Sequence, residues 1–175
     1  MAKMISDEFM QHVVTEQAWK NLSEEFRWTE ALLEKYADKV DWKEISENRN
    51  IIWTIPMLQK FSKKLDWKKL SEHTDEEWFT EAHLEVFKDK WDWCAVVCNY
   101  NLSETLIDKY IDYIDWRALI GVGRCYGNFP FGDDDPVAFY EKYKEHIPMA
   151  ELQDSELWRR LVRKREKQLL SEILS

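Results

Sequence analysis

At 175 residues, 45% of them hydrophobic and 14% aromatic, the chain suits one domain with a substantial core and is too apolar for a disordered segment. A net charge of −9 repels phosphate backbones, so nucleic acid is not an expected partner, and no apolar run approaches the roughly 18 residues that cross a bilayer. Three cysteines without a CxxC pair (Cys94, Cys98, Cys125) and acids within the leading stretch MAKMISDEFMQHVV indicate neither a disulfide framework, a zinc site nor a secretory signal, and the expected setting is a reducing cytoplasm.

One dipeptide organises the chain. Asp-Trp recurs at Asp41-Trp42, Asp66-Trp67, Asp92-Trp93 and Asp115-Trp116, at intervals of 25, 26 and 23 residues, opening the phrases DWKEIS, DWKKLS, DWCAVV and DWRALI. A degenerate first copy, AWKNLS, places Trp19 ahead of them, and a worn last copy, PMAELQ, puts Met149 where the tryptophan belongs. The copies span about 5–23, 24–48, 49–74, 75–99, 100–120 and 137–153. An internal period of this size marks a repeat architecture.

Each copy reads as a helical hairpin. Before the tryptophan, apolar residues stand at offsets −10, −9, −6 and −2, as in Leu32, Leu33, Tyr36 and Val40, which is one face of a helix and not of a strand. Thr29, Thr54, Thr80 and Ser103 sit where a side-chain oxygen caps that helix. The apolar residues before them (Trp28, Trp53, Phe79, Leu102) have the spacing of a hydrophobic staple. The Asp of each Asp-Trp then caps a second, shorter helix carrying an aliphatic three residues on (Ile45, Leu70, Val96, Leu119). Glu44 is placed to complete a capping box with Asp41. Asn48–Asn50 and Asn99–Asn101 suit the turns that follow.

Residues 121–136, GVGRCYGNFPFGDDDP, contain all four glycines of the chain and interrupt the period between the fifth and sixth copies. The stretch lacks the GK[ST] of a phosphate loop, and Asp133, Asp134 and Asp135 lack the alternate spacing of a calcium loop, so they read as an acidic turn before Pro136. Tyr126, Phe129 and Phe131 either cover the joint between copies or reach a partner, and Arg124 beside them is a further contact candidate. Residues 155–174 read as one longer amphipathic helix. Leu157, Leu161, Leu169 and Ile173, with Trp158, Val162 and Leu170 beside them, make an apolar stripe to close the last copy. Arg159, Arg160, Arg163, Lys164, Arg165 and Lys167 give it a basic face for an acidic partner or a second copy.

Phrases such as LLEKYADKVDWKEIS and MLQKFSKKLDWKKLS resemble the Trp-containing tandem helical repeats, of the form LSEEFI…F.DKVDW..IS, of bacterial, phage and large-virus proteins. The resemblance covers roughly residues 9–120 and implies a scaffold, with no activity attached.

The expected fold is therefore all-α: an α-solenoid of about six short hairpins of 23–26 residues, closed by a C-terminal helix, in a single domain. His83 reads as an interior histidine, Cys94 and Cys98 as packed free thiols, and Trp42, Trp67, Trp93 and Trp116 as packing between copies. No nucleophile–base pair, cofactor motif or metal-ligand spacing appears, so no catalytic residue, cofactor or metal is expected. The expected function is a non-enzymatic protein-binding module of the inhibitor or immunity type, using exposed acids of the first helices (Glu30, Glu34, Asp38). Trp78, Trp158, Arg160 and Arg163, with the four side chains of the glycine-rich stretch, are further contact candidates. Two alternatives stand beside it. One is an enzyme, ligand or metal site at residues 121–136; the other is a structural segment dimerising through the last helix.

Overall fold

The structure, a computed structural model, describes residues 7–74, 77–122 and 135–175. Among them every regular element is helical: eleven α-helices and one 3-10 turn, with no strand. The chain divides into two compact units, Met1–Trp91 and Asp92–Ser175.

The first unit holds α1 (Glu8–Glu25), α2 (Glu30–Lys35), α3 (Trp42–Glu47), α4 (Ile55–Phe61), α5 (Trp67–Ser71) and α6 (Glu81–Phe87). Helices as short as α2 to α6 are unstable alone in water, and each is pinned at its start. Thr29 and Thr54 accept through Oγ1 from the Leu32 and Met57 N–H groups, both at 3.4 Å. Asp41 and Asp66 accept from Lys43 N–H at 2.9 Å and Lys69 N–H at 3.2 Å. Thr80 uses another route: its backbone N–H donates to His83 Nδ1 at 3.2 Å. Behind the caps Leu33, Ile45, Leu58, Leu70 and Leu84 are wholly buried, and Trp28, Trp53 and Phe79 are buried ahead of them.

The tryptophans join one copy to the next. Trp19 packs on Tyr36, Trp42 on Phe61 and Trp67 on Phe87, with ring centroids 5.4, 5.1 and 5.1 Å apart. Trp42 and Trp67 also donate from Nε1 to the carbonyls of Ala37 and Ser62, at 2.9 Å each. Beside each ring lies a buried serine that sequence reading passed over. Ser46 Oγ donates to the Trp42 carbonyl at 2.7 Å and accepts the Asp66 backbone N–H at 2.9 Å. Ser23 does the same between Trp19 and Asp41. That bond displaces the capping box expected at Asp41: its N–H is taken by Ser23, and Glu44 pairs instead with Lys20 at 3.1 Å. The turn after α3 is tied back by Asn48, whose side-chain amide donates to the Ser23 and Phe26 carbonyls.

The first copy departs from the expected hairpin. Residues Glu8–Glu25 form one uninterrupted helix of 18 residues. At the break, the complete copies bury an apolar residue (Val40, Leu65, Trp91) and then cap with Asp. Here the same two places hold Gln17 and Ala18. Without an anchor or a cap, nothing offsets the helical hydrogen bonds that a turn would give up.

The second unit holds α7 (Trp93–Asn99), α8 (Glu104–Lys109), α9 (Trp116–Leu119), α10 (Pro136–Tyr143), a 3-10 turn at Leu152–Asp154 and α11 (Glu156–Leu174). Corresponding contacts return: Trp93 packs on Tyr110 at 5.3 Å and Trp116 on Tyr143 at 5.4 Å, and Asp92, Ser103, Asp115, Asp135 and Ser155 cap their helices. Where the first unit has its serines, the buried aliphatics Val97 and Ile120 stand. Gly121, at φ 78°, ends α9 in a left-handed conformation that any Cβ would disfavour. In the worn last copy Met149 is exposed, while Leu152 keeps the buried aliphatic place three residues on.

α11 begins with its Leu157 N–H bonded to the Ile120 carbonyl at 3.1 Å. Leu157 is the only wholly buried member of its apolar stripe; Leu169, Leu170 and Ile173 are exposed. Among the described residues, the stripe closes the last copy over its first turn, where α11 packs on α10 and the 3-10 turn, while its later turns are exposed. A second correction concerns α7. Both cysteines were expected as packed free thiols, but the Cys94 thiol is exposed and Cys98 is disulfide-bonded, so the expectation of no disulfide fails as well.

Candidate functional site

The acids expected to face a partner are partly used within the fold. Glu30 and Glu34, one turn apart on α2, hold Lys60 of α4 between them at 3.0 and 2.9 Å, and Asp38 reaches Lys64 at 3.7 Å. The hydrogen bonds that Lys60 donates to Glu34 and Glu30 push its pKa up. The second unit repeats the arrangement. Lys142 lies 3.1 Å from Glu104 and 2.9 Å from Asp108, while the Tyr143 hydroxyl donates to Asp108 at 2.8 Å. Bonds from Lys142 and then Tyr143 hold the Asp108 carboxyl below its usual range. The lysine stems also lie on aromatic rings, Lys60 over Phe61 and Lys142 over Tyr143. The three carboxylates (Glu30, Glu34, Asp38) are interleaved with the exposed Lys35 and Lys39 of the same stretch, so α2 and its following turn present both signs of charge.

The other candidates scatter. Trp78 is half-buried, edge-on to Phe79 and His83. His83 is buried as expected, and burial pushes its pKa below the usual 6.5, against the nearby Trp53 carbonyl that raises it. Trp158 is exposed, Arg160 is bound to Glu156 at 3.2 Å, and Arg163 is exposed. Arg124, Tyr126, Phe129 and Phe131 lie outside the described residues, as do Asp133 and Asp134; Asp135 caps α10 and pairs with Lys164 at 2.8 Å.

A different surface stands out, one the sequence reading did not single out. The uninterrupted α1 exposes Phe9, Met10, Val13 and Val14, with Phe9 72% accessible. Their spacing of one and four residues places them along one side of the helix. Beside them opens a cleft of about 700 Å³ between α1 and the turn joining α2 to α3. Trp19, Val13 and Val40 give it an apolar floor, and Glu16, Asp38 and Asp41 an acidic margin. Its charged groups on both sides have partners within the fold: Lys20 meets Glu44, Lys39 the Trp19 ring at 5.5 Å, Glu16 meets His12, Asp38 meets Lys64, and Asp41 caps α3. The arrangement suits an apolar side chain flanked by basic ones. The signal in the sequence was the loss of aspartate at Ala18, which removes the turn that would have folded these residues back.

No family model, curated protein or solved structure matches the chain. Among the described residues, no group of three His, Cys, Asp or Glu side chains is placed to hold a metal ion, and no helix is long and apolar enough to cross a membrane.

Proposed function

We propose that this chain is a non-enzymatic protein-binding module, an α-solenoid built from Trp-containing tandem helical repeats. The recurrent stacking of each tryptophan on the next copy's aromatic, at 5.1–5.4 Å in five places, supports a regular array, and such arrays present broad rigid faces. The observation that carries the binding role is the acidic row Glu30–Glu34–Asp38. Its carboxylates recur every four residues and are open to solvent, with the Asp38 side chain fully exposed. A row of this kind steers toward a basic surface. The partner class is accordingly a protein with a cationic functional site, blocked in the manner of an inhibitor or immunity protein.

The test is affinity capture from the source lysate with the wild-type chain and two variants: the triple change Glu30→Gln, Glu34→Gln, Asp38→Asn, and a deletion of residues 126–134, which keeps the Asp135 cap of α10. A protein partner that is released by salt and lost with the triple change is the expected result. Retention by the triple variant with loss in the deletion moves the site to the glycine-rich stretch. Capture of nothing, together with a melting temperature raised by a small molecule or metal, overturns the reading in favour of a ligand-binding protein.

A further inference from the structure

Two helices of this protein carry apolar surfaces that the fold leaves open, and their charges are opposite. On α1 the open strip is Phe9, Met10, Val13 and Val14, adjoining the cleft over Trp19. From Asp7 to Glu25 the segment has five acids against one lysine. On α11 the open strip is Trp158, Val162, Leu169 and Ile173, with Ile173 77% exposed. Intervals of four, seven and four residues keep these on one stripe along the helix. From Glu156 to Leu174 there are six basic side chains against three acids; Arg159 and Arg165 pair with Glu156 and Glu172 on the same helix, and Arg163 is exposed.

We infer that α11 of one copy docks on α1 and its cleft in another, so that copies of this chain associate head to tail. The occupant is fixed by charge as well as by shape. Pairing α11 with a second α11, or α1 with a second α1, sets like charges against each other, which costs several kcal/mol across an interface. Pairing α11 with α1 sets the net-basic helix beside the net-acidic one, with Glu16 and the exposed Asp38 at the cleft margin, and covers both strips at once. A stripe whose side chains are spaced by about one and two helical turns seats an apolar knob over Trp19, while its neighbours run along Phe9 and Val13. Each copy offers one acidic strip and one basic strip, so the contact either closes reciprocally in a two-fold pair or runs on into rings and chains, and the limiting mass distinguishes the two. This inference shares Asp38 with the acidic row on α2, and the variants of its test leave that row intact.

The test is sedimentation velocity on the full chain and on two variants, one with the head blocked (Phe9→Glu, Val13→Glu) and one with the tail blocked (Leu169→Glu, Ile173→Glu). All four positions are exposed, and circular dichroism checks that each variant remains folded. The wild type should show mass rising with concentration and falling with salt. Each variant alone should be monomeric. An equimolar mixture should give one species of twice the monomer mass and nothing larger, since one intact tail meets one intact head. A wild type that stays monomeric at its highest soluble concentration overturns the inference. So does a head-blocked variant that still self-associates, because that pairs α11 with itself.

Discussion

Replacing Ser46 by alanine isolates the least conspicuous contact in the first unit. The hydroxyl is wholly buried, donates to the Trp42 carbonyl at 2.7 Å and accepts the Asp66 N–H at 2.9 Å. Removing it strands the Asp66 N–H at the start of α5, where a buried unpaired donor costs about 1–3 kcal/mol. Alanine returns about 0.5 kcal/mol through its better helix propensity. The net loss is about 0.5–2.5 kcal/mol, and with a urea slope of about 2 kcal/mol/M the unfolding midpoint should fall by roughly 0.3–1.2 M. Urea titration followed by far-UV circular dichroism reads the midpoint, and hydrogen exchange at the Asp66 amide reads the local consequence. Ser171→Ala, on the exposed part of α11, is the control and should stay within about 0.5 kcal/mol of wild type. An unchanged midpoint with unchanged Asp66 exchange in Ser46→Ala would refute the view that these serines join successive copies.

Two further outcomes follow from the charged and titrating groups. Burial lowers the His83 pKa from its usual 6.5, so below about pH 6.5 the unfolded chain binds a proton that the folded one resists, and stability falls with pH. His83→Gln keeps an acceptor for the Thr80 N–H and should flatten the fall in melting temperature between about pH 7 and pH 5.5; an identical slope removes His83 from the account. A double-mutant cycle on Glu30→Gln and Lys60→Met should give a coupling under about 1 kcal/mol, because both groups are well exposed. A coupling above about 2 kcal/mol in urea unfolding would make that ion pair a structural element and not a surface one.

What the sequence disclosed is the part decided by local chemistry. The threonine and aspartate caps, the staple residues Trp28, Trp53 and Phe79, and the buried residues at fixed offsets from each tryptophan all depend on neighbours within a turn or two. The structure places them as their spacing required. What it withheld depends on groups far apart in the chain. Ser46 looked like one more polar residue closing DWKEIS, and only its meeting with the Asp66 N–H, 20 residues on, gives it a role. The same competition explains the missing capping box: Glu44 was correctly spaced, but an acceptor from the preceding copy already held the donor. Glu30 and Glu34 read as free surface acids because Lys60 belongs to a different copy. α11 was assigned its full apolar stripe as a closing face, since periodicity shows which residues share a side but not how far the partner extends.

The fused first copy offers the sharpest test of what makes a hairpin here. Its break position differs from the complete copies by an anchor and a cap, Gln17 for a buried apolar residue and Ala18 for Asp. An aspartate N-cap contributes about 0.5–2 kcal/mol, and burying an isoleucine about 1.5–3 kcal/mol. Together these compete with the few helical bonds that a turn removes, each worth about 0.5–1.5 kcal/mol net. Gln17→Ile with Ala18→Asp should therefore divide α1 into two helices, folding Phe9 and Val13 back from solvent. Spin labels at Met10→Cys and Glu24→Cys, with Cys94→Ser to remove the exposed thiol, distinguish the states. A continuous helix holds the two Cα atoms about 21 Å apart at about 1.5 Å per residue, whereas packed antiparallel helices bring them to roughly 10 Å. Shortening of the distance with loss of head-to-tail association would show that two residues decide whether this copy closes on itself or stays open to a neighbour. A distance that remains about 21 Å would mean that the long helix is stabilised by something other than the missing anchor and cap.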